Sequence, residues 1–324
     1  MIAHFLGIDT SNYTTSIALV DSHGKVLFDK RIMLTVKPGE LGLRQSDAFY
    51  QHVMNLPGLF FDLTNDDLKH IESIGVSCRP RNVEGSYMPV FNAGVQFAKV
   101  IAKSLNRPLY EYAHQDGHVM AAIPSEQVLE NQKILNLHIS GGTTELFLSQ
   151  WSLENQYFTT DIIGGTKDIS IGQLIDRIGV YLDFPFPCGL PMEQSIAHFE
   201  STAPNKKNML PLKIEKGYFN LSGIENKIKT LLADGTPSQD VILALFTEIA
   251  RLLYTLLDDA IISEKPDLVI LAGGVMSNFW IRAALSNLEK AHPNVKILIT
   301  AKMFCNDNAV GIAKMALKHS NLNR

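Results

Sequence analysis

The 324-residue chain contains only 3 cysteines, Cys78, Cys188 and Cys305, and no Cys-x-x-Cys pair. So few, odd in number and scattered, they argue against a disulfide framework and for a reducing compartment. Positive charge is not in excess either, since 29 Lys and Arg stand against 33 Asp and Glu, a formal net charge of -4. That excludes a globally basic nucleic-acid binder while leaving room for a local basic patch. No basic segment precedes the first apolar run, and Asp9 interrupts it early, so the N-terminus reads as a strand and not as a signal peptide. The most apolar helical stretch, Val241 to Leu257, carries Glu248 and Arg251 and falls short of a membrane span. A soluble, cytoplasmic protein is expected. What is present in quantity is apolar material, 46% of residues, enough for a sizeable core in two lobes of roughly 150 residues each.

One pattern occurs twice. Phe5-Leu6-Gly7-Ile8 leads into Asp9-Thr10-Ser11-Asn12-Tyr13-Thr14-Thr15 and then Ser16-Ile17-Ala18-Leu19-Val20. Ile134 to Ile139 leads into Ser140-Gly141-Gly142-Thr143-Thr144 and then Glu145-Leu146-Phe147-Leu148. Each is a strand, a turn of small and hydroxyl residues, and a second strand. Neither turn is the two-residue Asn-Gly type of a minimal hairpin. Hydroxyls and glycine backbone gathered at a strand end can instead donate to a phosphate.

Strands are expected at 71–77, 108–112 and 268–272, and helices near 92–105 and 172–178. The Pro-rich run Phe184 to Pro191 should not be helical. The polar stretch Ser201 to Lys216 reads as a surface loop. Strands and helices alternating in two halves imply two α/β lobes facing a cleft, with ligands beyond the carboxyl ends of strands.

His114 and His118 are spaced i and i+4, which on a helix places both imidazoles on one face, able to chelate one metal. Gln115 stands where a zinc-peptidase would carry its general-base Glu, so that chemistry is demoted. A carboxylate would complete a facial set of two His and one acid. Asp307, at a strand-to-helix junction, is the best-placed candidate, and by spacing alone it is equally a helix N-cap. Gly273-Gly274 after a buried strand permits close approach of a nucleotide, or simply a tight turn. Asp176, beside Arg177, reads on its own as a solvated carboxylate. Cys188 and Cys305 have no evident base partner, which speaks against a cysteine nucleophile.

In order along the chain stand Leu6-Gly7-Ile8-Asp9-Thr10-Ser11, His114-x-x-Gly117-His118, Ser140-Gly141-Gly142-x-Thr144 and Gly172-x-x-x-Asp176-Arg177. Pro187-x-Gly189, Phe219-x-x-Ser222-Gly223, Leu271-Ala272-Gly273-Gly274-Val275-x-x-Asn278 and Asp307-Asn308-Ala309 follow. Together these resemble the tRNA threonylcarbamoyladenosine-synthesising transferases, once called glycoproteases, of the acetate kinase, sugar kinase, Hsp70 and actin (ASKHA) superfamily. The resemblance implies a two-lobed α/β actin/Hsp70-like fold with an interlobe nucleotide cleft. Residues 1–132, completed by a C-terminal helix at 308–324, would form one lobe and 133–307 the other. It also implies that His114, His118 and Asp307 hold one divalent metal, iron or zinc. His138, Ile139, Ser140, Gly141, Gly142, Asp176, Gly189 and Asn278 would surround an adenine nucleotide, threonylcarbamoyl-AMP or ATP/ADP, with Asp9, Thr10 and Ser11 as a phosphate loop. The implied reaction is transfer of threonylcarbamoyl from its adenylate to the exocyclic amine of the tRNA adenosine next to the anticodon. The implied partners are tRNA and accessory subunits of the same pathway, with no membrane. The attacking nitrogen belongs to the RNA, so no protein nucleophile is required.

Three segments depart from the family. Ser11-Asn12-Tyr13-Thr14-Thr15 replaces Ser-Cys-Asp-Glu-Thr, Arg79-Pro80-Arg81-Asn82 to Ser86 replaces a Gly-Pro-Gly-Leu turn, and Thr143 replaces a His. These changes fit a divergent, nucleotide-binding paralogue acting as a partner subunit as well as a transferase, though the family's small paralogue lacks the His pair. A small-molecule kinase would need an Asp near the second hairpin, where only Ser, Gly and Thr occur. Arg79, Arg81, Lys206, Lys207, Lys213 and Lys216 are the local basic residues available to grip RNA.

Overall fold

Both strand–turn–strand runs fold as antiparallel hairpins, and each seeds a sheet of the same topology. The computed structural model describes residues 3–11, 13–37, 42–124, 129, 131–154, 157–197, 213–300 and 309–322. The first half comprises β1 (His4–Thr10), β2 (Thr14–Asp21), β3 (Val26–Met33), α1 (Gln45–Phe61), α2 (Asn65–Lys69), β4 (Ile71–Arg79), α3 (Phe91–Leu105), β5 (Leu109–Ala113) and α4 (His114–Ala122). The second begins with β6 (Ile134–Ile139), β7 (Thr144–Ser152), β8 (Tyr157–Thr166), α5 (Ile171–Tyr181), α6 (Gly189–Ser195) and β9 (Tyr218–Phe219). It continues with α7 (Ser222–Ala233), α8 (Ser238–Glu264), β10 (Leu268–Ala272), α9 (Phe279–Leu285), α10 (Leu288–Ala291), β11 (Lys296–Ile299) and α11 (Val310–Leu322).

The sheets run β3-β2-β1-β4-β5 and β11-β10-β6-β7-β8-β9. In each, the hairpin's first strand pairs antiparallel with its second and parallel with a later strand, β4 or β10, which pairs parallel with the next, β5 or β11. The repeat read in the sequence is thus a duplicated sheet.

Alternation along β1 decides what each face meets. Leu6 and Ile8 pack with Leu56, Leu59, Ala98 and Ile101 of α1 and α3, whereas Phe5 packs with Ala313 and Leu317 of α11. The second sheet is covered on one face by α5, α7 and α8. On the other, Val119 and Met120 of α4 and Ile312 and Met315 of α11 pack with Ile134, Phe147 and Ile270. Helices α4 and α11 therefore lie between the two sheets, and α4 carries the His pair to that junction.

Two local expectations are refined. The Pro-rich run is irregular only to Cys188, because Gly189, Leu190 and Pro191 form the first turn of α6. Proline fits there, where its missing N–H has no intrahelical partner to lose. Most of the loop expected over Ser201 to Lys216 lies outside the described residues. Among the described residues no helix is long and apolar enough to cross a membrane.

Candidate functional site

Helix α4 starts immediately where β5 ends, so His114 is its first residue and His118 lies one turn on. Their Nε2 atoms face each other 2.9 Å apart, and the ring centroids are 4.4 Å apart. Nitrogens this close share one proton, with one ring donating to the other's lone pair. The Nδ1 of His114 is 3.0 Å from Oδ1 of Asp9, which is fully buried at the end of β1 and also accepts from the Ser11 hydroxyl at 2.7 Å. A carboxylate on one imidazole nitrogen orients the ring and raises the basicity of the other nitrogen, the usual support of a metal-ligating His. His138, near the end of β6, sets its ring 4.5 Å from that of His118. Imidazole nitrogens suit zinc or iron, so this pair would supply two donors to such an ion. Among the described residues no group of three or more His, Cys, Asp or Glu is arranged as a metal site. The third expected ligand, Asp307, lies outside the described residues, as do Asn308, Cys305, Lys206 and Lys207.

Beyond His138 the chain turns tightly. The Ser140 N–H donates to Thr143 O at 2.8 Å, and the Thr143 N–H donates to Ser140 Oγ at 3.1 Å. The α5 N-terminus clamps this turn: Ser170 Oγ donates to Gly141 O at 2.7 Å, and the Ile171 N–H donates to Thr144 Oγ1 at 2.9 Å. Gly273, at φ 99, ends β10 with its Cα against Ile139, where a Cβ would stand 2.3 Å from the Ile139 carbonyl oxygen. Only glycine satisfies both constraints. Asn278 caps α9, accepting from the Ile281 N–H at 3.1 Å, and its buried Nδ2 has no hydrogen-bond partner among the described residues. These residues gather beyond the carboxyl ends of the parallel strands β6 and β10, where such sheets bind ligands.

Not every expected residue faces this place through its side chain. The Thr10 hydroxyl turns to α3, donating to Val90 O at 3.4 Å and accepting from the Gly94 N–H at 3.1 Å. Asp176 is not a solvated carboxylate. It accepts from the Cys188 N–H at 2.8 Å and so anchors the start of α6 beside Gly189, and burial raises its pKa against that hydrogen bond. Burial, with the Asp176 charge second, pushes the Cys188 thiol up to about 12, which makes it a poor nucleophile. Arg79 and Arg81 are engaged within the protein, with Asn82 and Glu145 respectively, and Lys213 pairs with Glu215.

Several supporting residues carry no local sequence signal. Asp116 sits between the two His on α4 but faces away from them, accepting from Asn82 Nδ2 at 2.5 Å. Burial pushes its carboxyl up to about 7, against the Asn82 amide and the Phe158 N–H. Asp168 accepts from the N–H groups of Leu221 and Ser222 at 2.9 Å each and so holds the Phe219-x-x-Ser222-Gly223 segment at the start of α7. Burial alone would raise its pKa, but these N–H donors outweigh it and hold the carboxyl well below the usual range. Asp168→Ala should cost about 1 kcal/mol at neutral pH, as loss of a helix cap does. Because the folded-state pKa is depressed, that contribution is present above the unfolded pKa and fades as pH falls through the folded one. The difference between parent and variant urea midpoints should therefore shrink below about pH 4.

Solved proteins with the same architecture include HypF in a phosphate- and nucleotide-bound form, at TM-score 0.61 and 12% identity, covering 99% of this chain and 56% of that one. Component A of (R)-2-hydroxyglutaryl-CoA dehydratase from Acidaminococcus fermentans matches at TM-score 0.56 and 14% identity, covering 98% and 99%. A ROK family glucokinase from Streptomyces griseus matches at 0.53 and 12%, covering 98% and 100%. At these identities the likeness is one of fold, and it defines the class: a two-lobed α/β protein of the actin, Hsp70 and sugar kinase type, as expected.

Within that class, residues 35–314 match TsaD, tRNA N6-adenosine threonylcarbamoyltransferase, and the chain belongs to this family. The protein of that name from Thermosipho africanus is 29% identical, covering 97% of this chain and 93% of that one. Its namesake in Neorickettsia sennetsu is 28% identical, covering 97% and 92%. A probable bifunctional tRNA threonylcarbamoyladenosine biosynthesis protein of Methanocaldococcus jannaschii is 25% identical, and this chain spans 54% of it. The chain is thus a member of a transferase family of tRNA threonylcarbamoyladenosine synthesis.

Proposed function

We propose that this protein transfers threonylcarbamoyl from threonylcarbamoyl-AMP to the exocyclic amine of the tRNA adenosine next to the anticodon. The observation that carries the reading is the convergence of His114 Nε2 and His118 Nε2 at 2.9 Å, with Asp9 behind His114, beside the β6 turn of the family motif. His114 and His118, with Asp307 as third ligand, would hold one divalent iron or zinc ion. When bound, such an ion supplies Lewis-acid stabilisation of charge on phosphate or carbamoyl oxygens. Asp9 fixes the His114 ring so that its Nε2 presents a lone pair. The exposed Gly141–Gly142 backbone supplies N–H donors where negative charge grows. Asp176 fixes the start of α6 beside Gly189 through the Cys188 N–H, and Asn278 offers its unsatisfied amide to the nucleotide. The tRNA nitrogen is the nucleophile and AMP the leaving group, in keeping with a Cys188 thiol that stays protonated. The division at residue 132, with α11 completing the first lobe, accords with the duplicated sheets. Accessory subunits of the pathway have an apolar surface to meet on α1, where Tyr50, Met54 and Phe61 are 64%, 61% and 84% exposed.

One observation favours the second reading, a nucleotide-binding partner subunit without transfer. Tyr13 stands where the family carries an acid, and its ring meets Phe186 of the Pro-rich run edge-on at 6.0 Å. Incubation with threonylcarbamoyl-AMP, unmodified tRNA and the partner subunits separates the two. Modified adenosine is the expected product; adenylate binding without turnover would select the partner-subunit reading.

A further inference from the structure

The segment that replaces the family's Gly-Pro-Gly-Leu turn is bonded to both halves of the molecule. Arg79 donates to Asn82 Oδ1 from Nε and Nη2 at 3.2 and 2.8 Å, which fixes the amide so that Nδ2 faces outward. That Nδ2 donates to Asp116 on α4 at 2.5 Å and to the Phe158 carbonyl on β8 of the second sheet at 3.3 Å. Arg81 forms an ion pair with Glu145 on β7, also of the second sheet. The Gln115 N–H of α4 donates to Pro80 O at 3.0 Å, and Gln115 Nε2 reaches the other oxygen of Glu145 at 3.4 Å.

Glu145 is not an arbitrary anchor. It stands opposite His138 in the β6–β7 ladder, and directly opposed residues project from the same face. His138 in turn touches the His118 ring. Arg81, Glu145 and Gln115 therefore close a circuit around the imidazole pair, tying the helix that carries it to the strands that carry the Ser140–Gly142 turn.

We infer that Arg81 and Glu145 are positioning residues, a clasp between the two halves that sets the imidazole pair of α4 in register with the turn after β6. The inference rests on the cleft being the reaction site. The Glu145 side chain is only 15% exposed and that of Arg81 36%, so removing the arginine leaves a poorly hydrated carboxylate without its partner. Relaxation of that carboxylate would shift β7 away from α4, and misplacement by about 1 Å lowers rates by about a hundredfold in catalysis that depends on positioning.

The test compares Arg81→Ala, Glu145→Gln and the charge-swapped double variant Arg81→Glu with Glu145→Arg. One readout needs no activity: the spin-label distance distribution between exposed positions Gln96 on α3 and Lys227 on α7, with labels carried on non-natural side chains. It should broaden in Arg81→Ala and Glu145→Gln and narrow again in the swapped variant. In transfer assays with partners supplied, kcat should fall about tenfold or more in Arg81→Ala and Glu145→Gln. KM for tRNA should stay within about threefold, and the swap should recover most of the rate. Distances unchanged from the parent, or a swap no better than the single variants, would overturn the clasp even if the parent is fully active. A parent without transfer would instead overturn the reaction, and the distance distributions would still decide the clasp.

Discussion

Replacing His118 by alanine is expected to abolish binding of the proposed divalent ion and to lower the proposed transfer by more than a hundredfold. Groups that hydrogen-bond to a metal ligand are worth about 10–100-fold, and a ligand itself is worth more. The two Nε2 atoms face each other 2.9 Å apart, and deleting either leaves a single imidazole on α4 to hold the proposed ion. His114→Ala should behave alike. Asp9→Asn should be milder, within about 10–100-fold, because the amide still fills the space but no longer accepts the His114 N–H as a carboxylate does. Elemental analysis of purified protein should give about one metal per parent chain and a small fraction of that in either histidine variant. Equal metal in parent and variants would remove the site, and with it the chemistry proposed for it.

Gly311→Ala is expected to be the most damaging single methyl group in the fold. A Cβ at this position of α11 would lie 1.8 Å from the Gly117 carbonyl oxygen and 2.9 Å from the Ala121 nitrogen, both backbone atoms of α4. Overpacking against movable side chains costs about 1–3 kcal/mol, and here no side chain can give way. The loss should reach about 3 kcal/mol or more, lowering Tm by about 4–5 °C or more for a chain of this size. The same crossing explains Gly117, which sits inside α4 despite its poor helix propensity, and whose own missing Cβ faces Ile312. Since relief would displace α4, metal affinity should fall together with stability. Thermal melts with and without added zinc check both, and a Gly311→Ala protein as stable as the parent would refute the close crossing.

The duplicated sheet was legible because its signal is local. Alternating apolar residues on either side of a small-residue turn specify a hairpin wherever they occur, and here they occur twice. The i, i+4 spacing of His114 and His118 and the glycine after a buried strand at Gly273 are equally local, so their elements and relative faces could be read directly. The Pro-rich run was harder. Proline forbids a helix interior but not a first turn, and only the Asp176 carboxylate on the Cys188 N–H shows where α6 begins.

What the sequence by itself determined is the two hairpins, the main buried strands, several of the helices and the family to which the chain belongs, because periodicity and motif order survive along a single strand of text. What only the tertiary structure decided is which distant groups meet: Asp9 with His114, His138 with His118, Arg81 with Glu145 and Gly311 with Gly117. Such contacts depend on how two helices lie between two sheets. No local pattern encodes that placement, since it results from the simultaneous burial of faces contributed by both halves of the chain.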